Sequence, residues 1–405
     1  MIVCCVYNES RADAGCFGLA QVTELNIERK KRVRQKRARR LVMLVLLGGA
    51  MIAVAYLFPL LEGISFNALM QEAFGTVGRS GSFPASLVGE TASGIYNLGG
   101  SAAVLTDTNV QVFSPAGRPY GTVQNGFAEP VIKTSASRGV LYGKGAKGIT
   151  LLSKGGKLAQ TELDEMVVTA EVSANGRVAA ATPSARHAAS VRVFDDGFNT
   201  LFTWYSAENH VLTMGLSSDG ARLAVGTVTA QDGALLSVIK QFSVAQQTEQ
   251  CETRLAGSLA VALKYVSHGV QAVCDNQTLL LDESGAIKQT YSYAGKPLSA
   301  YSVTGGSAAL VLGEYKAEHQ LSIVSLDDEC KVRFALVVHE QVRDIYTDGA
   351  LTYVLTDTAL TVYNQSGQVQ LTQPNEYGFI GVAASGEDVY LLQQHGVQKL
   401  EYPKE

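Results

Sequence analysis

Gly143-Lys144-Gly145-Ala146-Lys147-Gly148 fits the G-x-G-x-x-G spacing by which a glycine-rich loop cradles a dinucleotide pyrophosphate. That chemistry needs the glycines to open a helix whose N-terminus receives the phosphates. Here Ile149-Thr150-Leu151-Leu152 follows, a run that predicts a strand, so the segment reads as a hairpin turn. The histidines His187, His210, His268, His319, His339 and His395 contain no H-x-x-x-H pair, and a metal site would need ligands from distant segments. Asp195-Asp196 and Asp327-Asp328-Glu329 lack the alternating oxygen ligands and glycine of a calcium loop and are expected at exposed turns. There is no G-x-S-x-G nucleophile elbow. We therefore assign no catalytic residue, no cofactor and no metal. The lone tryptophan, Trp204, stands beside Tyr205 at the end of an apolar run, just before a polar stretch. The pair is a candidate partner contact, with packing between structural units as the competing role.

The elements that would carry these residues are short. From Phe83-Pro84 onward, runs of Val, Leu, Ile, Thr and Tyr last four to seven residues and are cut by Gly, Asp or Asn, with no sustained helical period after residue 90. This is the pattern of an all-β domain. It also repeats. Val104-Leu105-Thr106-Asp107-Thr108, followed by Val110, Val112, Phe113 and Gly117, recurs 250 residues later as Val354-Leu355-Thr356-Asp357-Thr358, followed by Leu360, Val362, Tyr363 and Gly367. Weaker copies align on Gly285 and begin at Val140-Leu141-Tyr142. In each copy the Asp is expected to cap the turn by accepting backbone N–H groups two residues on. Another hairpin precedes several copies, at Ser173-Ala174-Asn175-Gly176, Ser218-Asp219-Gly220, Thr347-Asp348-Gly349 and Ser385-Gly386.

Four short strands recurring about every forty residues predict a β-propeller of four-stranded blades. Eight units are favoured, with seven as the alternative. The last unit has about three strands of its own, so the segment Ala85 to Gly89 is expected to complete it and remove an open sheet edge.

Upstream lies a different kind of signal. Arg29, Lys30, Lys31, Arg32, Arg34, Lys36, Arg37, Arg39 and Arg40 flank residues 41–61, a span without a charge that is long enough to cross a bilayer as a helix. Basic flanks stay on the cytoplasmic side, which places residues 1–40 inside and everything after Glu62 outside. Ala53-Val54-Ala55 could serve a signal peptidase, but the apolar run continues past it, so an uncleaved signal anchor is the reading adopted. Charge divides the same way. Residues 1–40 hold ten Lys/Arg against four Asp/Glu, and the remainder 23 against 33. An acidic ectodomain disfavours nucleic acid as a partner, and the basic run is placed to hold anionic headgroups. Residues 62–82 are expected to form a juxtamembrane helix and a Gly/Ser linker, and residues 83–405 the extracytoplasmic propeller. Cys4, Cys5 and Cys16 fall on the reducing side and Cys251, Cys274 and Cys330 on the oxidising side, with unpaired thiols the expected state. Residues 1–21 lack apolar periodicity and are expected to be disordered, or to precede a translation start near Val22.

The succession of basic stretch and apolar span, Phe83-Pro84, Val104 to Thr108, Glu129-Pro130, Leu141-Tyr142 and Thr203-Trp204 resembles a clostridial family of membrane-anchored propellers of unknown function, PQQ- or WD40-like in layout. The resemblance implies the same fold and a Gram-positive cell surface, and it carries over no catalytic residue. The layout is also similar, more distantly, to the propeller lipoprotein of the outer-membrane assembly machinery, an interaction scaffold. The expected function is that of a membrane-anchored scaffold or ligand sensor at the cell envelope, with the bilayer and other envelope proteins as partners. The alternative is a hydrolase or lyase acting on surface glycans.

Overall fold

The structure, a computed structural model, describes residues 81–401 apart from 88, 89, 232 and 305. The nine basic residues from Arg29 to Arg40, the span 41–61 and nearly all of the expected juxtamembrane segment lie outside the described residues. Among the described residues, no helix is long and apolar enough to cross a membrane.

Eight four-stranded antiparallel sheets follow one another along the chain. Eight blades, rather than seven, form the propeller. In the first seven, the strands lie side by side in chain order, from an innermost first strand to an outer fourth. The eighth takes Gly381–Ser385, Asp388–Gln393 and Gly396–Glu401 from the C-terminal end and its outer strand, Ala85–Ser86, from the N-terminal end. Ala85 lies opposite Val397 and Ser86 opposite Gly396, so the first strand closes the ring at the expected place.

Sequence and position correspond strand by strand. The second strand of a blade is covered on both faces by neighbouring blades, so it is apolar or small throughout: Ser101–Thr106, Gly139–Gly143, Val178–Thr182 and Ser307–Leu312 are buried at every position. Outer strands such as Ile287–Ser292 and Val369–Pro374 meet solvent and are mostly polar. The core is divided among the seams between blades. Val191, Val193 and Phe202 of blade 3 pack on Met214, Leu223, Val225 and Phe242 of blade 4, and comparable clusters fill the other seams. A single blade therefore cannot bury its own apolar faces.

The repeated turns match in detail, with one correction. In Thr106-Asp107-Thr108 and Thr356-Asp357-Thr358, the threonine before the Asp caps the turn: the Thr106 hydroxyl accepts the N–H of Asn109 at 2.9 Å, and that of Thr356 the N–H of Ala359 at 3.1 Å. Asp107 instead accepts the N–H of Thr91 at 3.3 Å, and Asp357 pairs with Arg343 at 2.5 Å. A hydroxyl reaches a turn of this tightness from the last strand residue, which leaves the following carboxylate free to point outward. Carboxylate caps occupy the next turn along, between third and outer strands. Asp282 accepts from Ser284 and Ala286 there, and Asp327 from Glu329 and Lys331. Gly285 holds the positive-φ position of the Asp282 turn at 80°, a slot filled by Cys330 at 60° in the Asp327 turn. Blade 6 adds a four-residue helix, Tyr315–Glu318, between its second and third strands.

Candidate binding faces and channel

Because adjacent strands run in opposite directions, the turns within first–second and third–outer pairs share one face of the disc, here the turn face. The second–third turns and the connections between blades share the other, the crossover face. Gly81 lies against the backbone of Gly117 and Arg118, so the described chain begins at the turn face.

The glycine-rich segment sits on the crossover face as a hairpin between Gly139–Gly143 and Gly148–Ser153. Its glycines make room for an aromatic ring: a Cβ on Gly143 would meet Phe127 at 2.8 Å, and one on Gly148 would meet it at 2.9 Å. The histidines stay apart, His395 bonding to the carbonyl of Glu90 and His187 lying against Tyr205. Asp195 accepts the N–H groups of Gly197 and Asn199, as expected of a turn. Cys251, Cys274 and Cys330 are free, and burial pushes the Cys274 thiol up to about 12 and that of Cys330 up to about 11.

Trp204 and Tyr205 are adjacent on the outer strand Thr200–Ser206 of blade 3, so they point to opposite faces of the sheet. Trp204 turns into the seam with blade 4, its ring 5.2 Å from that of Phe242. Tyr205 turns outward, 49% exposed, with its ring 5.0 Å from His187. The two residues singled out together thus divide between packing and surface.

Sequence reasoning missed a ring of β-bulges. In the innermost strands of blades 1, 4, 5, 6 and 7 the pairing skips one residue near the crossover face: Ser93, Leu212, Val261, Ser299 and Arg343. A bulge re-aims the skipped side chain. On blade 4 that side chain is Leu212, 39% exposed, and the neighbouring connection into blade 3 exposes Met166 and Val168. An apolar arc therefore lies at blades 3 and 4 of the crossover face, whereas the bulges of blades 1, 6 and 7 present Ser93, Ser299 and Arg343, and Tyr377 is exposed in the connection that leaves blade 7.

The innermost strands also carry ionisable groups. Lys133 of blade 2 pairs with Glu171 of blade 3 at 3.3 Å, and that carboxylate holds the ammonium above the ordinary lysine range. Asp344 of blade 7 accepts the N–H of Ile345 and, across the seam, that of Val382 of blade 8 at 2.8 Å; burial outweighs these bonds and raises its carboxyl to about 6. Burial also raises the Tyr96 phenol, which lies within range of the charges of Lys133 and Asp344. At the turn face a cleft of about 950 Å³ opens among Ser137, Asn175, Asp219, Tyr265, Ser267 and Asp328.

Residues 86–401 match a family of unknown function, DUF5711. The chain belongs to that family. Among solved structures, the DUF5711 chain is similar to BamB from Moraxella catarrhalis, at 13% identity over 78% of this chain and 100% of that one, with a TM-score of 0.51. It is similar also to a computationally designed protein, Ika8, at 11% identity over 78% of this chain and 100% of that one, with a TM-score of 0.56. At such identities the likeness concerns the fold alone. No curated protein matches the DUF5711 chain.

Proposed function

We propose that this DUF5711 protein is a membrane-anchored scaffold of the bacterial cell envelope, its propeller outside the membrane and its crossover face docked on another protein. The observation that carries the reading is the apolar arc of Met166, Val168 and Leu212, with the ring of Tyr205 exposed separately on the outer strand of blade 3. Large apolar side chains gathered on one face mark interaction sites on soluble domains, and aromatic residues serve as anchors there. The anchoring and the outward placement rest on the nine basic residues that precede span 41–61. The scaffold is tested by placing a photoreactive amino acid at Met166, at Leu212 or, as a control on the turn face, at Ser284, and irradiating intact cells. The expected outcome is one crosslinked species of defined mass from the first two positions and none from Ser284. Equal labelling at all three, or none at any, would remove the assignment of the face.

A further inference from the structure

Exposed sheet edges in soluble proteins are blunted by charge, proline or brevity, because bare backbone N–H and C=O groups pair with other strands that they meet. Most outer strands of this ring follow the rule. They carry Pro119 in blade 1, Lys157 in blade 2, Glu252 in blade 4, Lys288 in blade 5 and Pro374 in blade 7, and that of blade 8 is two residues long. The outer strand of blade 3, Thr200–Ser206, has no charge, but the Gln247 amide reaches across from blade 4 and takes up the carbonyl of Leu201 at 3.2 Å. Blade 6 is the exception. Its outer strand, Val332–Val338, reads Val-Arg-Phe-Ala-Leu-Val-Val. Phe334, Leu336 and Val338 pack toward blade 7, while Val332 and Val337 are 47% and 53% exposed and Ala335 is exposed between them. The one charge, Arg333, is drawn off the edge: its guanidinium donates to the carbonyl of Gly349 in blade 7 at 2.6 Å.

Charge and topology select the occupant. Exposed Lys331 stands just before the strand, and His339 and Glu340 just after it. Two copies laid antiparallel about Ala335 set Val332 opposite Val338, Arg333 opposite Val337 and Phe334 opposite Leu336, so that no charge on the strand faces its like. The same register brings Lys331 of each copy beside His339 and Glu340 of the other, with a carboxylate in reach of the ammonium. The two-fold axis of such a pair is normal to the blade 6 sheet, which in a ring of eight blades points toward blade 8, a quarter of the circuit away. The described chain begins there, with Gly81 against blade 1 and Ala85 in blade 8. Both copies therefore receive residues 1–80 from the same side of the pair, as two copies anchored in one membrane require. We infer that the outer strand of blade 6 pairs with its counterpart in a second copy of this chain, joining two propellers through one eight-stranded sheet. The axis uses up the bare edge of each copy, so assembly closes at two. The orientation of the pair rests on the anchored reading, but the pairing uses neither the apolar arc nor its partner, so it and the scaffold reading fail separately.

Ala335→Cys in the full chain, oxidised in intact cells with copper phenanthroline, tests the inference. A two-fold axis at this residue places the two Cα atoms about 4.5–5.5 Å apart, inside the range that a disulfide spans. A disulfide-linked species of twice the chain mass is expected from Ala335→Cys, and only the background of the chain's own thiols from Ser284→Cys. Adding Val337→Lys, an exposed position at which the melting temperature should not change, is expected to cut the yield roughly fivefold by setting a second cation opposite Arg333. Photocrosslinking from Met166 and Leu212 should be unaffected by that change. No dimer from Ala335→Cys, equal yields at 335 and 284, or a yield that Val337→Lys leaves unmoved would overturn the pairing. A mixed disulfide of another mass would give the edge to a different protein and overturn it as well.

Discussion

Asp344 joins two blades through one carboxylate, and its chemistry makes that junction sensitive to pH. Its folded value of about 6 lies above the 3.8 ordinary for an aspartate, so the folded state holds the proton more tightly than the unfolded chain does. The stabilisation is fully present below about pH 4 and is lost as pH rises through about 6. Asp344→Asn keeps an oxygen for the Val382 N–H and cannot ionise. In urea titrations its stability relative to wild type is therefore expected to climb between pH 4 and 6, by on the order of 1 to 3 kcal/mol; a flat difference would show that the carboxylate is adequately solvated. Trp204 and Tyr205 supply a second residue-scale contrast. Trp204→Ala should cost about 2 to 4 kcal/mol of stability through the seam with Phe242. Tyr205→Ala should stay within about 1 kcal/mol in the same denaturation assay. What the sequence disclosed at this scale was the adjacency of two large aromatic residues. Which one faces inward depends on the strand's register, fixed by pairings such as Val191 with Trp204 that no local pattern reveals.

At the scale of elements, ring closure rests on a very short strand. Ala85–Ser86 contributes two residues to blade 8, and around it Leu87 is fully buried while Phe83 lies against Tyr390 at 5.8 Å. The N–H of Leu87 donates to the carbonyl of His395 at 2.9 Å. Leu87→Ala is expected to cost about 2 to 4 kcal/mol and to act first at the junction: amide exchange in Gly396–Glu401 should accelerate before that in Val178–Thr182. Uniform acceleration across both strands would mean that closure is not a separate step. The repeat made this element legible, because a final unit one strand short demands a partner from elsewhere in the chain. The hairpins were legible too, since Asn-Gly and Asp-Gly tell of positive φ. The bulges were not. Leu212 and Val261 continue the apolar pattern of their strands, and a skipped pairing leaves no mark in composition. The capping threonines were obscured for another reason: Thr106 and Asp107 are both competent turn caps, and only the tightness of the turn decides between them.

For the whole molecule, the decisive question is the side of the membrane on which the propeller stands. Residues 1–40 carry ten basic and four acidic groups, and the rest of the chain 23 and 33, a division that follows the boundary drawn by span 41–61. A positive flank resists translocation, whereas an acidic folded domain does not. The described chain enters the propeller at Gly81 on the turn face, which leaves the apolar arc on the opposite face of the disc. If the span is an uncleaved anchor, protease added to intact protoplasts is expected to degrade the propeller and to leave a protected fragment containing Arg29 to Arg40 and residues 41–61. If cleavage occurs at Ala53-Val54-Ala55 instead, the propeller will be found in the medium, with an N-terminus just after Ala55. A propeller protected from protease until the cells are lysed would place it in the cytoplasm and overturn the scaffold reading. Epitope tags at the C-terminus and within the loop at Gln246-Gln247, an exposed turn of blade 4, distinguish all three outcomes in one immunoblot.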